Sequence, residues 1–240
     1  MVNGTTRPPA PEEKQAFVEG LFTRIAPRYD LMNILMTGGC WRLWQRAFAR
    51  YAGIEPGDRV CDVGCGTAEL SILMAVRKDA AVTGVDLSEG MLAVGRRKLA
   101  ERGLEGRVQL LAGNALDLPF ADGSFDAAAT AFVMRNVADL DRALAEMHRV
   151  VRPGGRLALM ELSHPPCAWI RVPFWIYFQA VPPLLGSWAR EAYSWLPQSL
   201  KTFPDADGLV GRLVRAGWSE VGYRRLSGGI VCLHTARRPG

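Results

Sequence analysis

The chain has no C-x-x-C pair and no Cys/His cluster at zinc spacing, and its 5 cysteines are an odd number. Those absences exclude a disulfide framework and a tetrahedral zinc module. Met1 to Gln15 is polar and proline-rich, without an apolar signal region. This reads as a reducing, cytoplasmic compartment with the cysteines as small packing residues. Long hydrophobic runs are missing too. The longest, Val172 to Leu185, is shorter than the ~20 residues of a spanning helix and is broken by Pro182 and Pro183. Internal repeats and low-complexity tracts are also absent. No single charge sign dominates: 29 Lys and Arg face 24 Asp and Glu, a net +5. That balance permits a nucleic-acid or anionic-membrane partner and demands neither. What is present, 49% apolar and 22% charged residues over 240, describes a globular chain. The length suits one large α/β domain with additions, or two small ones.

The charge is unevenly placed. Residues 1–57 carry +2, residues 58–163 carry −2 and residues 164–240 carry +5. Residues 1–11 read as a flexible lead. Phe17, Val18, Leu21, Phe22 and Ile25 share one face of a helix over Glu12–Ala26, which Pro27 ends. A second helix spans Gly39–Tyr51, with Trp41, Trp44, Phe48 and Tyr51 apolar. Arg42, Arg46 and Arg50 lie on its other side, as a solvated face or an anionic-lipid contact. From Arg59 onward, strands alternate with helices: Arg59–Val63, Ala81–Val85, Val108–Leu111, Phe125–Phe132 and Leu157–Leu162. Such alternation predicts a parallel sheet with right-handed crossovers. Ser88 and Gly103 bound one crossover helix, Ala138–Val150 is another, and Pro153-Gly154-Gly155 is a turn. Residues 164–203 break the rhythm and hold nine of the 21 aromatics. A helix over Asp205–Ala216 and a hairpin, Val221–Leu226 with Ile230–Thr235, close the chain.

The chemistry gathers after the first strand, at Asp62-Val63-Gly64-Cys65-Gly66-Thr67-Ala68. Glycines there let the backbone turn and approach a ligand. The carboxyl edge of a doubly wound sheet is where ligands bind. A dinucleotide favours a third glycine, but position 69 is Glu. Asp62 and Glu69 would repel a pyrophosphate and attract a cation. S-adenosylmethionine carries a sulfonium and an ammonium and no phosphate. Asp86 ends the second strand and can accept two ribose hydroxyls. Asn114, followed by Ala115, ends the third, where a side-chain amide can bond an adenine edge.

At these residues the sequence resembles the ubiquinone/menaquinone biosynthesis C-methyltransferases of the class I methyltransferase superfamily. The superfamily signals are the glycine loop, Val85-Asp86-Leu87-Ser88, Leu118-Pro119-Phe120, Ser124-Phe125-Asp126 and Arg152-Pro153-Gly154-Gly155. The family signals include Ile25 to Asn33, Met134-Arg135-Asn136-Val137, Glu146 to Val151, Glu161-Leu162-Ser163 and Tyr193 to Ser199. The resemblance implies an α/β fold: a doubly wound, mostly parallel, seven-stranded Rossmann-like sheet with a C-terminal antiparallel hairpin and helical lids. It makes the chain a single domain. Residues 12–57 are an N-terminal lid, 58–163 the cofactor core, 164–203 an aromatic acceptor lid and 204–240 the closing helix and hairpin.

The activity implied is methyl transfer from S-adenosylmethionine, leaving S-adenosylhomocysteine, to a ring carbon of a prenylated quinol. Demethylmenaquinol is the expected acceptor. The benzoquinol of ubiquinone synthesis, or another lipid or small molecule, is the alternative. Asp62, Gly64, Gly66, Thr67, Asp86, Asn114 and Ala115 are the expected cofactor residues. Tyr29, Arg135 and Tyr193 are expected on the acceptor. Arg135 suits a phenolate stabiliser and is a poor base. Asp30, His164 and His148 are the candidate bases. A membrane acceptor calls for an apolar mouth. Trp169, Trp175, Tyr177, Trp188 and Trp195, with Arg171 and Arg190, suit peripheral contact with the bilayer. A homodimer follows from the resemblance alone. A DNA amino-methyltransferase would carry an Asn/Asp-Pro-Pro-aromatic motif where Met134 to Val137 stands, so no nucleic-acid partner is expected. No metal is expected either. An intact glycine loop argues against a non-catalytic binding module.

Overall fold

Short apolar runs between turns become the strands. They are β1 (Arg59–Val63), β2 (Ala81–Asp86), β3 (Val108–Ala112), β4 (Phe125–Ala131), β5 (Val151–Leu162), β6 (Ser219–Leu226) and β7 (Val231–Arg237). In the computed structural model, which describes residues 11–185 and 189–240, they form one seven-stranded sheet ordered β3-β2-β1-β4-β5-β7-β6. β1 to β5 pair in parallel, and β7 runs antiparallel to both β5 and β6. The order reverses between β1 and β4, which opens a crevice at their carboxyl ends. The flexible lead expected over residues 1–11 lies almost wholly outside the described residues.

Helices cover both faces: α1 (Pro11–Ile25), α2 (Tyr29–Met36), α3 (Cys40–Tyr51), α4 (Glu69–Lys78), α5 (Glu89–Arg102), α6 (Leu140–Val150), α7 (Ala168–Leu185), α8 (Arg190–Lys201) and α9 (Ala206–Arg215). The starts of α5, α6 and α9 are fixed by side-chain caps. Ser88 accepts the Met91 amide at 3.2 Å, Asp139 the Arg142 amide at 3.0 Å and Asp205 the Gly208 amide at 2.8 Å. Central strands carry small buried residues, Ala127, Ala128 and Ala129 on β4, so that helices pack closely. Leu144 and Met147 of α6 and Leu157 and Leu159 of β5 are fully buried in the main core. A second core sits over the carboxyl edge. It joins Leu21, Ile25, Met32, Met91, Tyr193 and Trp195, from α1, α2, α5 and α8.

Three local features differ from the sequence reading. Pro27 does not simply end a helix. It sits in a single 3-10 turn, Ala26–Arg28, and α2 starts at the next residue. Proline is tolerated in a first turn because its missing N–H has no partner there anyway. β5 begins at Val151, not at Leu157: Phe125 pairs with Val151 and Ala127 with Arg156, so residues 152–155 form a bulge within the strand. β4 ends at Ala131, and Phe132 turns into the left-handed region with φ +62°. Among the described residues, no helix is long and apolar enough to cross a membrane.

Candidate active site

The glycine loop after β1 folds tightly under the end of β2. The amides of Gly64 and Cys65 both donate to the Val85 carbonyl, at 2.7 and 3.0 Å. Gly64 has φ +71°, and a Cβ there would lie 2.4 Å from Val133 Cγ1. Only glycine meets both demands. Asp62 is fully buried beneath the loop. Its Oδ2 accepts the Ser71 hydroxyl at 2.5 Å, while its Oδ1 is buried without a partner. Burial pushes its carboxyl up to about 7, against the pull of Ser71. Asp86 accepts the amides of Gly66 at 2.8 Å and Ser88 at 2.9 Å. Burial raises its pKa as well.

Around these carboxylates lies a cavity whose wall includes Gly64, Gly66, Thr67, Glu69, Asn114 and Ala115. Its roof is the N-terminal helices. Hydrogen bonds tie the roof to the loop after each of the first four strands. Asp30 accepts the Thr67 hydroxyl at 2.7 Å. The Thr23 and Ser88 hydroxyls lie 2.8 Å apart. Gln15 accepts from Asn114 Nδ2 at 3.2 Å, and Lys14 donates to the Val137 carbonyl at 2.6 Å. Lys98 of α5 reinforces the first tie, reaching Asp30 at 2.8 Å and Glu69 at 2.5 Å.

A second cavity, about 370 Å³, opens beside the first. Phe22, Tyr29, Trp41 and Phe132 line both, so the two spaces share a wall. This second wall is largely apolar, with Phe174, Phe178 and Trp195 among its residues. Arg135 enters it from the turn after β4. Its guanidinium is paired with the buried Glu161 carboxylate and donates to the Phe132 carbonyl at 2.9 Å. Arg135 Nε is buried and unbonded. Tyr29 and Tyr193 present phenols to the same space. Burial pushes the Tyr193 hydroxyl up to about 12, with Tyr29 nearby adding to the shift.

The model of the ubiE/COQ5 methyltransferase family matches residues 10–238. The chain belongs to the ubiE/COQ5 methyltransferase family. Demethylmenaquinone methyltransferase of Symbiobacterium thermophilum is 42% identical, over 98% of each chain. The ubiquinone/menaquinone biosynthesis C-methyltransferase UbiE of Teredinibacter turnerae is 39% identical, over 92% of this chain and 91% of its own. Among solved structures, a SAM-dependent methyltransferase from Thermotoga maritima superposes with TM-score 0.66 at 20% identity, over 91% of this chain and 99% of that one. At that identity the likeness shows the fold: the class I methyltransferase sheet.

S-adenosylmethionine is the cofactor of this family member. The residues present fit it. The unbonded Asp62 Oδ1 is an acceptor awaiting a cationic donor, and Asp86 holds two oxygens at the cavity wall. Not every expected residue is brought to the site. Asp30 lines the cofactor cavity, tied to Thr67 and Lys98, and does not line the acceptor cavity. His164 lines neither; its Nε2 lies 3.1 Å from the Phe203 carbonyl. His148 packs its ring on Trp218, 5.1 Å between centroids, and likewise lines neither. The Asn114 amide is committed within the protein, its Oδ1 to the Leu116 amide at 3.0 Å and its Nδ2 to Gln15. Trp188 and the side chain of Arg190 lie outside the described residues. Lys98, Phe132 and Ser227 are among the residues that sequence reasoning missed. Ser227 lines the acceptor cavity and accepts the Trp44 indole N–H at 2.8 Å. Its one signal was its place in the turn between the two strands of the closing hairpin.

Proposed function

We propose that the chain methylates a ring carbon of a prenylated hydroquinone, converting demethylmenaquinol to menaquinol. The observation that carries this is the shared wall between a cavity holding Asp62 and Asp86 and an apolar cavity holding Arg135. Bound S-adenosylmethionine supplies an electrophilic methyl group. Asp62 accepts its ammonium and Asp86 its ribose hydroxyls, in the sense of charge-assisted hydrogen bonds. Gly64, Gly66 and Thr67 let the backbone lie close, and the Asn114–Ala115 turn bounds the base. Arg135 faces an acceptor oxygen. As that oxygen gains phenolate character, a fixed guanidinium stabilises it without reorganising. Glu161 keeps Arg135 in place. Tyr29 and Tyr193 frame the ring, and the aromatic wall excludes water. Holding both molecules across one wall converts a bimolecular encounter into reaction within one complex.

The N-terminal helices act as a lid on the cofactor, and residues 164–203 as a lid on the acceptor. A polyprenyl acceptor resides in a bilayer, so the chain works as a peripheral protein. Trp169, Val172 and Ile176, all exposed on α7, and Leu31 and Leu35, exposed on α2, give it an apolar face. A homodimer is the assembly the family resemblance suggests, and light scattering that returns the mass of one chain would refute it. The decisive assay incubates the protein with labelled S-adenosylmethionine and reduced demethylmenaquinone, with the demethylated benzoquinol in parallel. Labelled menaquinone is the expected product. Its absence from folded, cofactor-bound protein would overturn the proposal.

A further inference from the structure

Away from both cavities, α3 and α4 enclose an open groove of about 610 Å³. Its lining includes Arg42, Arg46 and Arg50 from α3 and Arg77 and Lys78 from α4, and no carboxylate. Elsewhere twelve arginines form ion pairs, from Arg24 to Arg237. None of the five groove cations does so among the described residues. Five like charges left side by side repel one another, a cost that an anion would relieve. On α3 the three arginines are spaced by four, so they form one stripe directly opposite the buried Trp44 and Phe48. Leu43, 57% exposed, borders that stripe, three residues before Arg46. Thr37 and Gly38, immediately before α3, line the acceptor cavity. α2, with its exposed Leu31 and Leu35, packs on both α3 and α7.

We infer that the α3–α4 groove binds the phosphate headgroups of anionic lipids and sets the acceptor cavity against the bilayer. The inference rests on the reading that the acceptor is a membrane quinol, and it adds where and by what charge the protein docks. Two features favour lipid over nucleic acid. No aromatic lines the groove to stack a base. Exposed Leu43 borders it on α3, and α2, which packs on α3, exposes Leu31 and Leu35, as an interfacial surface requires.

The test is flotation of the full chain with vesicles of phosphatidylcholine alone and of phosphatidylcholine with phosphatidylglycerol. Wild type is expected to bind the anionic vesicles and to release them in high salt. The triple variant R42Q/R46Q/R50Q is expected to lose affinity on the order of a hundredfold, at about fivefold per charge. A control triple that removes equal charge from other helices, R102Q/K201Q/R215Q, is expected to keep most of it. Methylation of a water-soluble short-chain quinol is expected to be equal in wild type and both triples, because none of these residues lines either cavity. Unchanged vesicle binding in the first triple, or equal loss in the control, would overturn the inference. So would preferential displacement of vesicles by an RNA homopolymer. Failure of wild type to methylate even the soluble quinol would count against the proposed reaction, and the vesicle result would stand separately.

Discussion

Asp62 links proton binding to cofactor binding. With its carboxyl lifted to about 7 by burial, most free protein at pH 6 holds it protonated. An ammonium beside the unbonded Oδ1 restores the charged form and returns the pKa toward the ordinary carboxylate value near 4. Affinity for S-adenosylmethionine must then rise with pH. It should be about tenfold weaker at pH 6, and about a hundredfold weaker at pH 5, than its plateau above 7. Binding at pH 6 should release close to one proton, which calorimetry in buffers of different ionisation enthalpy measures directly. Asp62→Asn removes the titration. The variant should lose about tenfold to a hundredfold in affinity at pH 7.5, where a charged hydrogen bond is worth about 1.5–3 kcal/mol. At pH 5 most of that gap should close, because free wild type is protonated there and must give up the proton to bind. Stability gives an independent reading with a defined sign. A carboxyl whose folded pKa lies above its unfolded value makes the folded state bind more protons between pH 4 and 7. Cofactor-free wild type therefore loses stability as pH rises through that window, and Asp62→Asn loses less. A wild-type affinity that is flat from pH 5 to 7, or a variant with the wild-type slope, would refute the reasoning.

Other outcomes follow from the same contacts. Arg135→Lys should keep cofactor affinity and lower turnover at least tenfold in the quinol assay, because the ammonium cannot hold both Glu161 and an acceptor oxygen. Asp86→Ala should do the reverse, losing cofactor affinity in a direct binding titration. Lys98→Met leaves Asp30 and Glu69 facing each other and unties the lid; the cofactor KM should rise about tenfold with little change in kcat. Gly64→Ala places a methyl against Val133 in a left-handed turn, which should cost roughly 2 kcal/mol and lower Tm by about 4–8 °C in a thermal scan.

The sheet and the cofactor loop were legible in the sequence because their signals are local. A short apolar run, a glycine turn and an acid at the strand end lie within a few residues of one another, as at Val60 to Thr67. The place of Arg135 at the ligand edge of the sheet was legible for the same reason, since it lies in the turn after β4. Its partnership with Glu161 was not, because the two are 26 residues apart and join only when β4 pairs with β5. Lys98 looked like any lysine on a charged helix. Its role depends on Asp30, 68 positions away. Asp30 and His164 were expected as candidate bases, and the fold ties Asp30 to Thr67 and Lys98 and sets His164 against the Phe203 carbonyl. α2 was hidden by Pro27, whose local meaning, a stop, is the same whether the next residues coil or begin a new helix.

The acceptor cavity also bears on how such an enzyme can change. Among the described residues, only Phe132, Arg135 and Leu162 of its lining come from the segment 58–163 that carries the cofactor loops. The remainder comes from the two ends of the chain. Selection for a wider ring or a longer prenyl tail can therefore act on residues 174–196 and 227–230, none of which lines the cofactor cavity, while the methyl-donor machinery stays untouched. On that side acceptor recognition is inheritable apart from donor recognition, and a chimaera exchanging only residues 164–240 should carry its acceptor preference with it.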